Sequence, residues 1–141
     1  MGKINWGRVF LCGLLTGVVA GVLATILVIL VGRGFQEAVQ AAGGPSLPPT
    51  IAGLLAFCIL AYLVPGISTM WLYAAIRPRY GPGPKTAAVA GVAWWVIRSW
   101  ADAVWAWLGV IPPVEFVANV AGTLPVIILA AVVGAWLYKE A

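Results

Sequence analysis

The sequence predicts an all-α fold, an integral membrane bundle of four transmembrane helices with both termini in the cytoplasm. The composition is 63% hydrophobic and 9% charged, with a mean hydropathy of +1.05, which lies far outside the range of soluble domains. Four apolar stretches are each long enough to cross a hydrocarbon layer of about 30 Å. No polar segment is long enough to fold separately, so we expect residues 1–141 to form a single transmembrane domain.

The basic residues predict the orientation of these helices. Under the positive-inside rule, the side of the membrane that carries more Lys and Arg is the cytoplasmic side. If the four helices cross in succession, Arg33 falls on one side, and the other side collects Lys3, Arg8, Arg77, Arg79, Lys85 and Lys139. Both termini and the loop between the second and third helices are therefore expected to be cytoplasmic.

The first helix is predicted over residues 9–31, after a short basic start. This stretch exceeds the apolar core of about 7 to 15 residues found in signal peptides, so we expect it to remain in the protein. Gly13, Gly17 and Gly21 recur at every fourth position, and small residues at that spacing allow two helix backbones to approach closely. The partner is either another helix of this chain or a helix of a second protein.

The second helix is predicted over residues 51–76, after a short amphipathic segment at 34–42. It contains Tyr62 and Pro65 in its apolar run. A proline in a helix interior removes one hydrogen bond and crowds the preceding turn, so we expect Pro65 to kink the helix.

The next stretch, RPRYGPGPK at residues 77–85, is predicted to be a non-helical loop because it holds three prolines and two glycines. Its basic residues, Arg77, Arg79 and Lys85, are expected to set the topology or to contact anionic headgroups. It lacks the GxxxxGK[ST] pattern of a phosphate-binding loop.

The third helix is predicted over residues 86–108 and carries two opposite charges, Arg98 and Asp102, near its centre. Each charge in a bilayer costs about 2.5–3.5 kcal/mol on insertion scales, and the four-residue spacing lets the two side chains pair. Trp94 and Trp95 lie close enough along the helix for cation–π contact with the guanidinium. The pair is either a site for a proton, an ion or an anionic headgroup, or a structural ion pair that fixes helix packing.

The fourth helix is predicted over residues 115–138 and begins with a polar stripe at Glu115, Asn119 and Thr123. In the predicted orientation, several polar side chains of the second, third and fourth helices lie at similar depths. We therefore expect an intramembrane polar cluster in the outer half of the bundle, formed by Tyr62, Arg98, Asp102, Asn119 and Thr123.

The absence of histidine argues against several function classes. Histidine is the commonest zinc ligand and the most frequent general base, so the sequence predicts no enzyme, no catalytic residues and no metal site. The basic residues are distributed as topology signals, which argues against nucleic-acid binding. No cofactor is required, although the eight tryptophans leave room for a bound lipid, quinone or pigment beside ordinary contact with the bilayer.

Three segments, INWGRV, WLYAAIRPRYGPGPK and GAWLYKE, resemble those of a group of small four-helix bacterial membrane proteins that are mostly uncharacterised. The resemblance implies a bacterial inner-membrane location and four helices. It supplies no catalytic residues.

Two functions remain open at this point. The chain is either a structural or accessory subunit that packs against a larger membrane complex or a second copy, or a small carrier or channel component that moves a proton or an anionic solute through the Arg98 and Asp102 site. Four short helices enclose little volume, and no internal inverted repeat is evident. The sequence therefore favours the accessory subunit.

Overall fold

Four helices make up most of the chain that can be described. The structure, a computed structural model, describes residues 4–31, 41, 50–109 and 112–138. Within these residues no strand is present, and the helices are α1 (Trp6–Val31), α2 (Ile51–Tyr80), α3 (Pro84–Trp107) and α4 (Pro113–Leu137). The amphipathic segment expected at 34–42 lies outside the described residues except for Ala41, which is helical.

Three of the helices are long and apolar enough to cross a membrane. They are α1 over Trp6–Leu27, α2 over its whole length and α4 over its whole length. The prediction of an all-α membrane protein is confirmed at this level. Helix α3 is also long, at 24 residues, but Arg98, Asp102 and its tryptophans lower its mean hydropathy. A fourth transmembrane crossing stays a prediction.

The prediction of a non-helical loop at 77–85 was wrong. Helix α2 runs through Pro78, and α3 already begins at Pro84, so the turn is reduced to the short stretch between the two helices. Pro84 occupies the start of a helix, where its missing N–H costs nothing. The turn is made by Gly81 and Gly83, whose φ angles of 80° and 138° favour glycine. Pro84 is compatible with a helix because it lies at a helix start, whereas Pro78 lies inside the last turn of α2.

Helix α2 accommodates Pro65 with a wider turn. Ile59–Leu63 form a π-helical segment that ends two residues before Pro65, and the Val64 N–H donates to the Ile59 carbonyl five residues back. Pro65 has no N–H to donate, and its ring crowds the carbonyl of Ala61 four residues earlier. An extra residue in the turn relieves this crowding.

Helices α1 and α2 pack backbone to backbone in opposite directions. A methyl group at Gly13 would lie 2.5 Å from the Ile67 Cα, and one at Gly17 would lie 2.6 Å from the Tyr62 carbonyl oxygen. Gly66 faces them from α2, because a methyl group there would meet the backbone of Gly13 and Gly17. The sequence left open whether the partner of these glycines is a helix of this chain or of a second protein. The structure places α2 of the same chain against Gly13 and Gly17, which with Gly21 we call the glycine surface of α1.

The remaining helices also pack against their neighbours. Helix α3 packs against α2 and α4, and α4 packs against α1. Close approach again depends on small residues, since Gly91 of α3 faces Ala131 of α4, and Gly134 of α4 faces Thr16 of α1. Small residues therefore allow α3 to pack closely against α4, and α4 against α1.

The buried residues all lie in one half of this structure, which we call the closed half, residues 4–17, 66–91 and 126–138. Its core contains Val9, Met70, Tyr73, Ala87 and Tyr138. The other half, which we call the open half, comprises residues 18–31, 50–65, 92–109 and 112–125, and no residue whose exposure is described there is buried. The first turns of α2, Ile51–Cys58, make little contact with the other described helices.

Candidate functional site

The polar side chains of the predicted cluster all lie in the open half. The central feature is an ion pair within α3, in which the Arg98 Nη2 lies 3.6 Å from the Asp102 Oδ2. The two side chains are 36% and 23% exposed. The charges are therefore compensated within their own helix, while each keeps a face that is open to its surroundings.

Tyr62 lies in the π segment of α2. Its ring stands against α1, where a methyl group at Gly21 would lie 3.5 Å from the ring. Phe57 meets the Tyr62 ring edge to face, with centroids 6.3 Å apart. The third glycine of α1, Gly21, thus supports the ring of Tyr62.

Helix α4 contributes Asn119 and Thr123, with Glu115 one turn earlier. The Thr123 hydroxyl donates to the Asn119 backbone carbonyl at 2.6 Å, so its proton is used within the helix. The Asn119 Oδ1 and the Glu115 Oε2 are buried and have no hydrogen-bond partner among the described residues. Glu115 was not placed in the predicted cluster, although its position four residues before Asn119 was the signal that could have included it.

Two neighbouring indoles of α3 behave differently. The Trp95 Nε1 donates to the Val120 carbonyl of α4 at 3.0 Å and joins the two helices in the open half. The Trp94 Nε1 is buried without a hydrogen-bond partner among the described residues. Sequence spacing suggested cation–π contact for both rings, but the hydrogen bond of Trp95 depends on a backbone carbonyl that only the packed helices bring near.

This arrangement limits the chemistry of the open half. It offers a guanidinium, two carboxyl groups, an amide, a phenol and an indole N–H. An unpaired carboxyl oxygen in a region of low dielectric takes a proton, a cation or a donor from another molecule, because its burial without a partner is costly. Among the described residues, no group of three or more His, Cys, Asp or Glu side chains is placed to hold a metal ion.

The closed half has a second polar arrangement, built around two buried tyrosines. The rings of Tyr73 and Tyr138 meet edge to face with centroids 5.7 Å apart. The Tyr138 hydroxyl accepts a hydrogen bond from the Asn5 N–H at 3.3 Å, and the Tyr73 hydroxyl accepts one from the Gly83 N–H at 3.5 Å. No pattern in the sequence indicated that Tyr73 of α2 would meet Tyr138, which follows the end of α4.

The three basic residues predicted to set topology or contact headgroups differ in their surroundings. The Arg77 Cζ lies 5.4 Å from the centre of the Tyr138 ring, so its guanidinium belongs to the packing of the closed half. Arg79 and Lys85 are exposed. A role at headgroups stays a prediction for these two residues, and Arg77 has a structural contact besides.

No family model, curated protein or solved structure matched the chain. The resemblance to small four-helix bacterial proteins, and the inner-membrane location that it implies, therefore stay predictions. Function has to be argued from the geometry of the two halves.

Proposed function

We propose that this chain is an accessory subunit of the bacterial inner membrane, and that its open half receives a helix of a larger membrane complex or of a second copy. The observation that carries the proposal is the contrast in packing. Every buried residue among those that the structure describes lies in the closed half, whereas the residues of the predicted polar cluster all lie in the open half: Tyr62, Arg98, Asp102, Asn119 and Thr123. A partner helix there would complete the packing that this chain leaves incomplete.

Unpaired polar atoms support the same proposal. The Glu115 Oε2 and Asn119 Oδ1 are acceptors, and the Trp94 Nε1 is a donor, each buried without a partner among the described residues. Hydrogen bonds between membrane helices are worth about 0.6–2 kcal/mol each. These atoms are buried within this chain, so a partner helix with Ser, Thr, Asn or Gln side chains would bond them only where its docking moves the side chains that cover them.

The proposal includes four transmembrane helices with both termini cytoplasmic. The closed half carries the described basic residues other than Arg98, namely Arg8, Arg77, Arg79 and Lys85. The positive-inside rule then puts the closed half on the cytoplasmic side and the open half on the outer side. The partner would be recognised in the outer leaflet, without a catalytic step or a required cofactor.

One observation favours a second candidate, a small carrier or channel component. The open half exposes Arg98 and Asp102, while the closed half is filled by the Tyr73 and Tyr138 core. A carrier in one of its states also exposes charged groups near the middle of the membrane to one side. In this alternative, Glu115 with the Arg98 and Asp102 pair would handle a proton or an anionic solute.

Photo-crosslinking in native membranes tests the first proposal. We would place p-benzoylphenylalanine at Trp105, one turn beyond Asp102 and 52% exposed, and as a control at Trp136 of the closed half, which is 90% exposed. The expected result is a crosslinked polypeptide at position 105 and lipid adducts alone at position 136. Lipid adducts alone at both positions would overturn the accessory-subunit proposal.

Flux measurements in vesicles test the alternative. The combined variant Arg98→Gln with Asp102→Asn should leave the crosslinked complex at wild-type level if the chain is an accessory subunit held by other contacts. A carrier would instead lose proton or anion flux in this variant, with Arg79→Gln as a charge-removing control in the closed half. Wild-type vesicles without any flux above protein-free vesicles would rule out the carrier.

A further inference from the structure

A groove on the surface of the closed half lies between the start of α1 and the end of α4. It has a volume of about 370 Å³ and is lined by Arg8, Leu11, Cys12 and Leu137. Of the lining residues, Cys12 is buried, whereas Leu11 and Leu137 are exposed. The groove therefore combines one cationic side chain, Arg8, with an apolar lining.

Arg8 is held in place at this groove. Its Nη1 donates to the Leu137 backbone carbonyl at 3.2 Å, near the end of α4. The first turn of α1 is fixed as well, since the Arg8 backbone N–H donates to the Asn5 Oδ1 at 3.1 Å. A guanidinium carries five N–H donors and the bond to Leu137 occupies one of them. The others suit the oxygen atoms of a phosphate.

The charges of the closed half favour an anionic ligand at Arg8. In the part of the chain that the structure describes, the acidic residues are Asp102 and Glu115, and both lie in the open half. The described charges of the closed half are all basic, as noted above. An anionic ligand at Arg8 therefore meets no described carboxylate on the same half.

The apolar lining of the groove favours a lipid over a small anion as the ligand. Leu11 is 69% exposed and Leu137 is 56% exposed, so both present hydrocarbon surface beside the guanidinium. Two exposed tryptophans, Trp6 and Trp136, are close in sequence to Arg8 and Leu137, and exposed tryptophans are typical of the membrane–water interface. An anionic headgroup and the upper part of an acyl chain occur together at this depth.

We propose that this groove binds an anionic phospholipid, with its phosphate on the Arg8 guanidinium and one acyl chain along Leu11 and Leu137. The site is separate from the open half and does not depend on the function proposed for it. The lipid would bridge the start of α1 and the end of α4.

Native mass spectrometry of the purified full chain tests this site, with equimolar phosphatidylglycerol and phosphatidylcholine of the same acyl chains. The wild-type protein should retain phosphatidylglycerol preferentially. Arg8→Gln removes the charge and keeps a polar side chain, and it should reduce bound phosphatidylglycerol by about fivefold. Arg79→Gln is the matched control, because it removes an exposed charge of the same half outside the groove.

A second pair of variants tests the apolar part without changing charge. Leu11→Trp fills the groove and should lower phosphatidylglycerol retention, whereas Leu30→Trp, at a similarly exposed position in the open half of α1, should not. This pair decides the question if Arg8→Gln does not fold.

Three results would overturn the proposal. Equal losses in Arg8→Gln and Arg79→Gln would mean diffuse attraction of lipid to a basic surface. Wild-type retention in Arg8→Gln, or in Leu11→Trp, would mean that the groove is not the site. Displacement of phosphatidylglycerol by millimolar inorganic phosphate would mean that Arg8 binds a free anion and not a lipid.

Discussion

The backbone of Tyr62 lies against Gly17, so closely that a methyl group on Gly17 would stand 2.6 Å from the Tyr62 carbonyl oxygen. This contact joins two features that look separate along the chain. Gly17 belongs to the repeated glycines of α1, and Tyr62 belongs to the π segment that precedes Pro65. The glycines of α1 therefore position Tyr62, one residue of the predicted polar cluster.

Replacing Gly17 should destabilise the chain itself. In Gly17→Ala, the new methyl group meets the backbone of Tyr62 and Leu63, so α1 and α2 must separate, and we expect a loss of about 1–3 kcal/mol in the free energy of unfolding. Denaturation in mixed micelles monitored by circular dichroism measures this loss. Gly7→Ala is the control, because a methyl group there would meet only the Asn5 Oδ1, at 3.7 Å. Equal stability of the two variants would contradict the close α1–α2 contact.

Removing the Tyr138 ring should disrupt the closed half. The ring is 4% exposed and contacts both Tyr73 and Arg77. We expect Tyr138→Ala to lose about 3–5 kcal/mol of stability, since a large buried ring leaves a cavity. Tyr138→Phe keeps the ring and loses only the acceptor for the Asn5 N–H, which should cost about 0.5–1.5 kcal/mol. Thermal unfolding of both variants in detergent would show which one is less stable. A Tyr138→Phe variant less stable than Tyr138→Ala would contradict the prediction.

The hydrogen bond between Trp95 and the Val120 carbonyl should contribute to the pairing of α3 with α4. Trp95→Phe removes the indole N–H and keeps an aromatic ring, and we expect a loss of about 1 kcal/mol. Trp100→Phe is the matched control on the same helix, because Trp100 is 74% exposed, and its effect should stay within about 0.5 kcal/mol. The same denaturation experiment compares the two, and a larger effect at Trp100 would refute the assignment.

Charge removal at Arg98 and Asp102 should be strongly non-additive. Arg98→Gln leaves the Asp102 carboxylate without its 3.6 Å partner, and Asp102→Asn leaves the guanidinium alone, whereas the double variant leaves no charge uncompensated. We therefore expect each single variant to be less stable than the double variant, with a coupling energy of about 1 kcal/mol or more in a double-mutant cycle. Additive effects would mean that the two side chains are solvated separately and that the pair does not matter to the fold.

The predictions from sequence succeeded where a property is local. Apolar runs of sufficient length predicted α1, α2 and α4, because crossing a hydrocarbon layer needs only length and composition. The spacing of Arg98 and Asp102 predicted an ion pair, because helix geometry alone brings those two positions together. The prediction for 77–85 was wrong because the effect of a proline depends on its place relative to a helix end, and Pro84 lies at the start of α3.

The sequence by itself determined that this is an all-α membrane protein with charge in its apolar part. Only the tertiary structure decided that Gly13 and Gly17 meet α2 of the same chain, that Tyr73 meets Tyr138, and that the buried residues among those described all lie in the closed half. The physical reason is that these contacts join residues from separate helices. Their formation depends on how helices face and cross one another, and that is a property of the packed structure and not of any single segment.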